Sequence, residues 1–246
     1  MIKYFRYSLL TAIVAISACR NEERQVETKL ADTVAIAQDT VSTDELETPL
    51  PPFPTTANKV EDLIPKNYDI DLEAEGDLNN DGLADKVIVL LKTTDTTALR
   101  PTLVLLKQGS AYSVDAVSYG AFDPKFREDG FKNYDYEEVS IDSGKLVVTK
   151  QATGPSGSIE STFKYIKNDL VLTYITTFNM GAGGQTEQKF DLLKGVYEQT
   201  DINTMKEDMP SETTTKKYKI PVALFKNSDP SAIMIEAFRK VGHWWF

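Results

Sequence analysis

Nine residues, Asp77-Leu78-Asn79-Asn80-Asp81-Gly82-Leu83-Ala84-Asp85, put oxygen-bearing side chains at positions 1, 3, 5 and 9 of a run with glycine at position 6. A loop with that spacing can curl around one hard cation and turn its oxygens inward, which is the chemistry of calcium. Gly82 permits the sharp bend that brings the first and last donors together. An EF-hand would need a bidentate glutamate at position 12, and Ile88 stands there inside an apolar run, so this is not an EF-hand. Magnesium suits the loop less well, because its tight octahedron prefers water-rich sites. The same residues have a metal-free use, since Asp and Asn side chains cap their own backbone in hairpin loops. Both readings stand on the sequence.

Other reactive constellations are sparse. The chain has one histidine, His243, and one cysteine, Cys19, too few for a zinc site or for a Ser/Cys–His nucleophile system. Gly154-Pro155-Ser156-Gly157 and Gly181-Ala182-Gly183-Gly184 are read as hairpin turns. Neither opens a helix nor precedes a Lys-Ser or Lys-Thr pair in phosphate-loop register. A carboxylate pair of the glycosidase kind could hide among the 37 acidic residues, but no spacing singles one out. Tyr134-Asp135-Tyr136-Glu137-Glu138 and the loop before it could line a sugar- or peptide-binding rim. The plainer reading is a strand with outward tyrosines. The sequence therefore assigns no catalytic residue and favours a binding or structural protein over an enzyme.

Residue by residue, the loop resembles the Asp-x-Asx-x-Asp-Gly-x-x-Asp loop of FG-GAP (integrin-type), VCBS and related extracellular calcium modules, including the preceding Gly76 and the following apolar strand. The resemblance implies side-chain ligands from Asp77, Asn79, Asp81 and Asp85, a backbone carbonyl from Leu83, and calcium as a structural cofactor. Such modules usually tile a β-propeller with one loop per blade. This chain has the loop once, and Asp123-Pro124 and Asp129-Gly130 lack its spacing, so no propeller is expected.

The first residues give a compartment. Lys3 and Arg6 precede an apolar run, Ser8 to Ala18, that is shorter than the roughly 20 residues needed to cross a bilayer. It closes with Ile16-Ser17-Ala18-Cys19, which resembles the lipobox of bacterial lipoproteins and implies a signal peptide over 1–18 and lipidation at Cys19. Arg20-Asn21-Glu22-Glu23 lacks the aspartate that resembles inner-membrane retention. Its acidic pair is similar to the surface-export signal of Bacteroidota lipoproteins. The expectation is an outer-membrane lipoprotein of the cell envelope, facing the periplasm or the outside. With Cys19 acylated no thiol is left for a disulfide.

Acidic residues outnumber the 27 basic ones and give a formal charge of −10, which repels phosphate backbones and excludes nucleic acid as a partner. The partners left are the membrane, through Cys19, and an envelope protein or glycan. Residues 19–66 are rich in Thr, Glu, Asp, Ala and Pro without a sustained apolar period, and read as a disordered tether spanning roughly 35–40 Å. The sequence permits a transient helical turn over Asn58–Ile64.

A domain over 67–246 must position the loop. Tyr68–Glu75 alternates apolar and acidic residues, placing Asp69, Asp71, Glu73 and Glu75 on one outer face. Strands are expected at Lys86–Thr93, Pro101–Gln108, Ala111–Tyr119, Tyr136–Ile141, Leu146–Ala152, Ile159–Lys167, Leu170–Asn179, Thr186–Leu193 and Val196–Thr200. A polar stretch, Asp201–Thr215, separates these from a last strand at Lys217–Leu224. Turn signals at regular spacing predict an all-β, antiparallel meander, sandwich or strongly curved sheet of roughly ten strands. Ser228-Asp229-Pro230 should then start a short helix over Ser231–Val241. His243-Trp244-Trp245-Phe246 follows it, expected to cover an open face or edge of the sheet, or else to dock on another protein.

Overall fold

A computed structural model describes residues 53–152 and 157–242. The signal peptide, Cys19, the tether up to residue 52, most of the Gly154–Gly157 turn and the His243–Phe246 segment lie outside the described residues. The chain divides into two units, Met1–Thr48 and Pro49–Phe246, and every described residue belongs to the second.

That unit is antiparallel β throughout, as the turn spacing predicts. One five-stranded sheet has the order β1-β5-β4-β3-β2, built from β1 (Thr56–Ala57), β2 (Tyr68–Gly76), β3 (Asp85–Lys92), β4 (Thr102–Gln108) and β5 (Ala111–Ser118). A seven-stranded sheet follows as an unbroken meander: β6 (Tyr134–Asp142), β7 (Lys145–Ala152), β8 (Ser158–Ile166), β9 (Asp169–Gly181), β10 (Gly184–Asp191), β11 (Val196–Asn203) and β12 (Ser211–Lys217). One helix, α1 (Pro230–Val241), closes the described chain. Among the described residues no helix is long and apolar enough to cross a membrane.

The continuous apolar run in β3 has a simple cause. Val87 and Val89 face a core shared by both sheets and α1, while Ile88 and Leu90 face a second cluster on the other side of the first sheet. A strand buried on both faces has no polar face to alternate with. Val60 and Leu63, from a 3₁₀ turn at Val60–Leu63, cover that second cluster together with Phe53 and Tyr112. Phe53, Val60 and Leu63 belong to the stretch that reads as the end of the tether. Two apolar side chains on one short turn are too few to show a period, yet they are enough to cap an exposed strand face.

Two local expectations are corrected. Asp71 does not share an outer face with Asp69, Glu73 and Glu75. The ladder to β3 slips between Ile70 and Leu72, so Asp71 is the extra residue of a β-bulge, and its side chain turns inward. Lys217–Leu224 is not a strand. The last strand is instead the polar Ser211–Lys217, paired with β11 from Ile202↔Ser211 to Val196↔Lys217. Thr213-Thr214-Thr215 supplies the β-branched propensity, an edge position leaves every side chain in water, and Pro221 denies the next stretch a ladder donor. In the β8–β9 turn the left-handed residue is Lys167, at φ 58°.

The helix begins as expected. The Asp229 carboxylate accepts from the Ser231 and Ala232 N–H groups at 2.9 and 3.1 Å, with Pro230 in the first turn. Phe238 of α1 packs edge-on against Phe190 and Tyr197 of the second sheet, at centroid distances of 4.9 and 5.9 Å.

Candidate functional site

The β2–β3 loop holds its side chains by a ladder of short-range bonds. Asp77 accepts from the N–H groups of Asp81 and Gly82, both at 3.0 Å. Asn79 Oδ1 accepts from Asp81 N–H at 3.0 Å, and its amide donates to Asp81 Oδ2 at 2.8 Å. Asp81 Oδ1 accepts from Leu83 N–H at 2.8 Å. Asn80 and Gly82 take the left-handed conformation, at φ 61° and 85°, which the bend requires. Asp77, Asn79 and Asp81 are thus brought together on one exposed turn, each fixed by the backbone it caps.

Asp85 stands apart from those three. It is fully buried, and its Oδ2 accepts from Leu78 N–H at 2.9 Å and Asn79 N–H at 3.3 Å. Its Oδ1 accepts from Lys107 N–H, in β4, at 2.9 Å. This carboxylate ties the base of the loop to the neighbouring strand. Leu83 has its side chain in solvent and its N–H on Asp81. Among the described residues no three acidic, histidine or cysteine side chains form a group that could hold a metal ion.

The donor chemistry still suits a weakly held hard cation. A carboxylate offers about four lone-pair sites, and each Asp77 oxygen commits one to an N–H group. Asp77, Asn79 and Asp81, with the Leu83 carbonyl, are the groups that would meet calcium, while Asp85 would hold the loop from beneath.

The loop also leans on the second sheet. A Cβ placed on Gly144, in the β6–β7 turn, would lie 2.6 Å from Asn80 Nδ2, and one on Gly76 would lie 2.8 Å from Ile141 Cγ2. Stiffening the loop therefore stiffens a corner where the two sheets meet.

A second constellation went unseen in the sequence. Arg100 is fully buried between the sheets. Its guanidinium donates to Asp71 Oδ2 at 2.9 Å, to both oxygens of Glu137, and through Nε to the Asp123 carbonyl at 2.6 Å. The Phe122 ring lies 5.2 Å from its centre. Lys125 pairs with the same Asp71. Lys150, only 1% exposed, donates to Asp123 Oδ2 at 2.8 Å, and Tyr134 O–H donates to that oxygen at 2.7 Å.

Burial pushes the Asp123 carboxyl up, but Lys150 and Tyr134 outweigh that and hold it below its ordinary value. The Tyr134 hydroxyl is pushed up, by burial first and by Asp123 second. Three cations meet three anions, so the cluster is neutral and each charge is paired. Its paired charges join the two sheets. The bulges of β2 and β6 are its enabling feature. Both ladders slip by one residue, at Asp71 and Asp135, so that Asp71 and Glu137 face Arg100 across the interface. The acidic alternation around residue 71 concealed this, because a bulge leaves no mark on composition.

Beside Lys150 and Tyr134 a groove of about 420 Å³ runs between α1 and the second sheet, with Ile159, Met234, Ile235 and Phe238 among its walls. Tyr136, two residues along β6, is half in solvent and donates to Glu138 at 2.8 Å, as an outward tyrosine should. The turn Ala182-Gly183 joins β9 to β10 with Gly181 opposite Gly184, a hairpin as expected.

Compared with models of known families, with curated proteins and with solved structures, the chain matches none.

Proposed function

We propose that the protein is a lipid-anchored binding or structural module of the bacterial cell envelope, attached through Cys19, whose first hairpin is clipped by a structural calcium ion. The observation that carries the cation reading is the ladder on the β2–β3 loop. Asp77, Asn79 and Asp81 are held together on one solvent-facing turn by the backbone N–H groups they cap, the arrangement a cation clip needs. Affinity falls in the weak range of extracellular modules, on the order of 10⁻⁴–10⁻³ M. The ion fastens the loop against the β6–β7 turn, and its consequence is stability rather than chemistry.

Partners are an envelope protein or a glycan, met by an acid-rich domain held clear of the membrane. Thermal unfolding of the full chain in detergent tests the cation reading. Millimolar calcium raises the midpoint, and the double substitution Asp77→Ala with Asp81→Ala abolishes the rise. An unchanged midpoint in the unsubstituted protein overturns it.

A further inference from the structure

We propose that β12 is the contact of a two-fold dimer, pairing antiparallel with β12 of a second copy in the register that sets Glu212 of each copy against Lys216 of the other. Three observations support this. The first is an open edge. β12 is the outermost strand of its sheet, pairs with β11 on one side, and has all 7 of its residues exposed. The Asn203 N–H donates to the Pro210 carbonyl and the Tyr218 N–H to the Gly195 carbonyl, both at 2.9 Å. Antiparallel ladders alternate, so the even-numbered residues of β12 direct their backbone groups at β11. Ser211, Thr213, Thr215 and Lys217 therefore turn their N–H and C=O groups outward, a template that a further strand completes.

The second is charge. The ladder to β11 runs without a slip, so Glu212 and Lys216 lie on the same face of β12, the one toward α1, where Lys216 reaches the Val241 carbonyl at 3.0 Å. Four residues along a strand hold them about 13–14 Å apart. Glu212 stands directly opposite Asp201 of β11, a like charge. Among the described residues neither Glu212 nor Lys216 belongs to an ion pair. An acid and a base so spaced do not meet on their own strand, but they meet twice when that strand pairs with an antiparallel copy of itself.

The third is register. A two-fold axis at Thr214 sets Ser211 against Lys217 and Thr213 against Thr215 of the second copy, all of them residues whose backbone groups point outward. Every outward group then finds a partner. Glu212 and Lys216 fall at the intervening positions, where cross-strand side chains lie closest. A slide of one residue sets outward groups against residues whose groups face β11. A slide of two separates both ion pairs, and a slide of four opposes Glu212 to Glu212 or Lys216 to Lys216. Edge lysines ordinarily discourage pairing with any strand. These meet an acid in one register, which selects a second copy over an unrelated strand.

Charge reversal tests this register in the full-length protein in density-matched detergent. Association is read by sedimentation equilibrium over a concentration series reaching the sub-millimolar range, because one strand per copy makes a small interface. The unsubstituted protein passes from monomer to dimer. Glu212→Lys alone sets lysine against lysine, and Lys216→Glu alone sets glutamate against glutamate, so each weakens the dimer by about tenfold or more. Both positions are exposed, and the far-ultraviolet spectrum stays the same in either variant. An equimolar mixture of the two variants restores both attractive pairs, and the heterodimer forms about as tightly as the unsubstituted dimer. A protein that stays monomeric throughout overturns the proposal. So does a dimer that either variant leaves intact, which would place the contact elsewhere on the chain or in a shared micelle. A loss in the single variants that the mixture fails to reverse also overturns it.

Discussion

Replacing Arg100 by alanine should be among the most damaging single changes in the domain. The guanidinium is fully buried and is the shared partner of Asp71 and Glu137, whose side chains are 7% and 9% exposed. Removing it leaves Glu137 facing Asp71 with Lys125 as the remaining cation, and strips the Asp123 carbonyl of its 2.6 Å bond. Breaking a buried pair by deleting one partner costs about 3–5 kcal/mol. Total stability of an ordinary domain is about 5–15 kcal/mol, so the variant stays folded but marginal. At about 2–4 °C per kcal/mol for a domain of this size, the midpoint should fall by roughly 6–20 °C. Urea unfolding of Arg100→Ala and of the double variant Arg100→Met with Glu137→Leu would check the cause. If the loss comes from stranded charge, the apolar pair regains much of it, because replacing a buried ion pair by packed hydrophobes is often neutral. A loss below about 1 kcal/mol for Arg100→Ala would refute the reasoning, since that is what a surface pair contributes.

Three further outcomes follow from the same geometry. Asp85→Ala leaves the N–H groups of Leu78, Asn79 and Lys107 without their acceptor and should cost about 2–5 kcal/mol, whereas Asp77→Ala without calcium should cost under about 1 kcal/mol. Equal losses in chemical denaturation would contradict the division between a buried strut and a surface turn. Because Asp123 is held below its ordinary value when folded, its contribution is present above the unfolded pKa of about 3.9. That contribution is lost as pH falls through the lower folded value. Unfolding midpoints measured below about pH 4 should decline, and Asp123→Asn should flatten the decline; an identical slope in the variant would count against the Lys150 pairing. Gly195→Ala puts a Cβ 2.2 Å from the Tyr218 carbonyl oxygen at φ 64°, and should lower stability by about 2 kcal/mol or more. An unchanged midpoint there would mean the β10–β11 turn relaxes freely.

Most of the second sheet could be read from its punctuation, since Ser143-Gly144, Gly183 and Gly195 sit where the hairpins need positive φ. The helix was equally legible, through Asp229, Pro230 and the apolar residues behind them. Two errors share one cause. Asp201–Thr215 reads as a polar stretch and Lys217–Leu224 as a strand, because hydrophobic pattern reports burial and an edge strand in water has none. At the candidate site, Asp77, Asn79 and Asp81 were foreseeable because a turn is a local object. The inward turn of Asp85 and the Arg100 cluster depend on partners 22 to 54 residues away, set by strand register and bulges. No short window of sequence contains that information.

Amide exchange at Asp81, Gly82 and Leu83, compared with and without millimolar calcium in the full-length protein, tests the central claim most directly. These N–H groups donate to Asp77, Asn79 and Asp81, the side chains that would meet the ion. Calcium should slow exchange at all three and at the β6–β7 turn they lean on, while leaving the distant β11–β12 edge unchanged. Exchange at residues 81–83 that is identical in calcium and in chelator would contradict the cation clip and leave the loop as a self-capped hairpin.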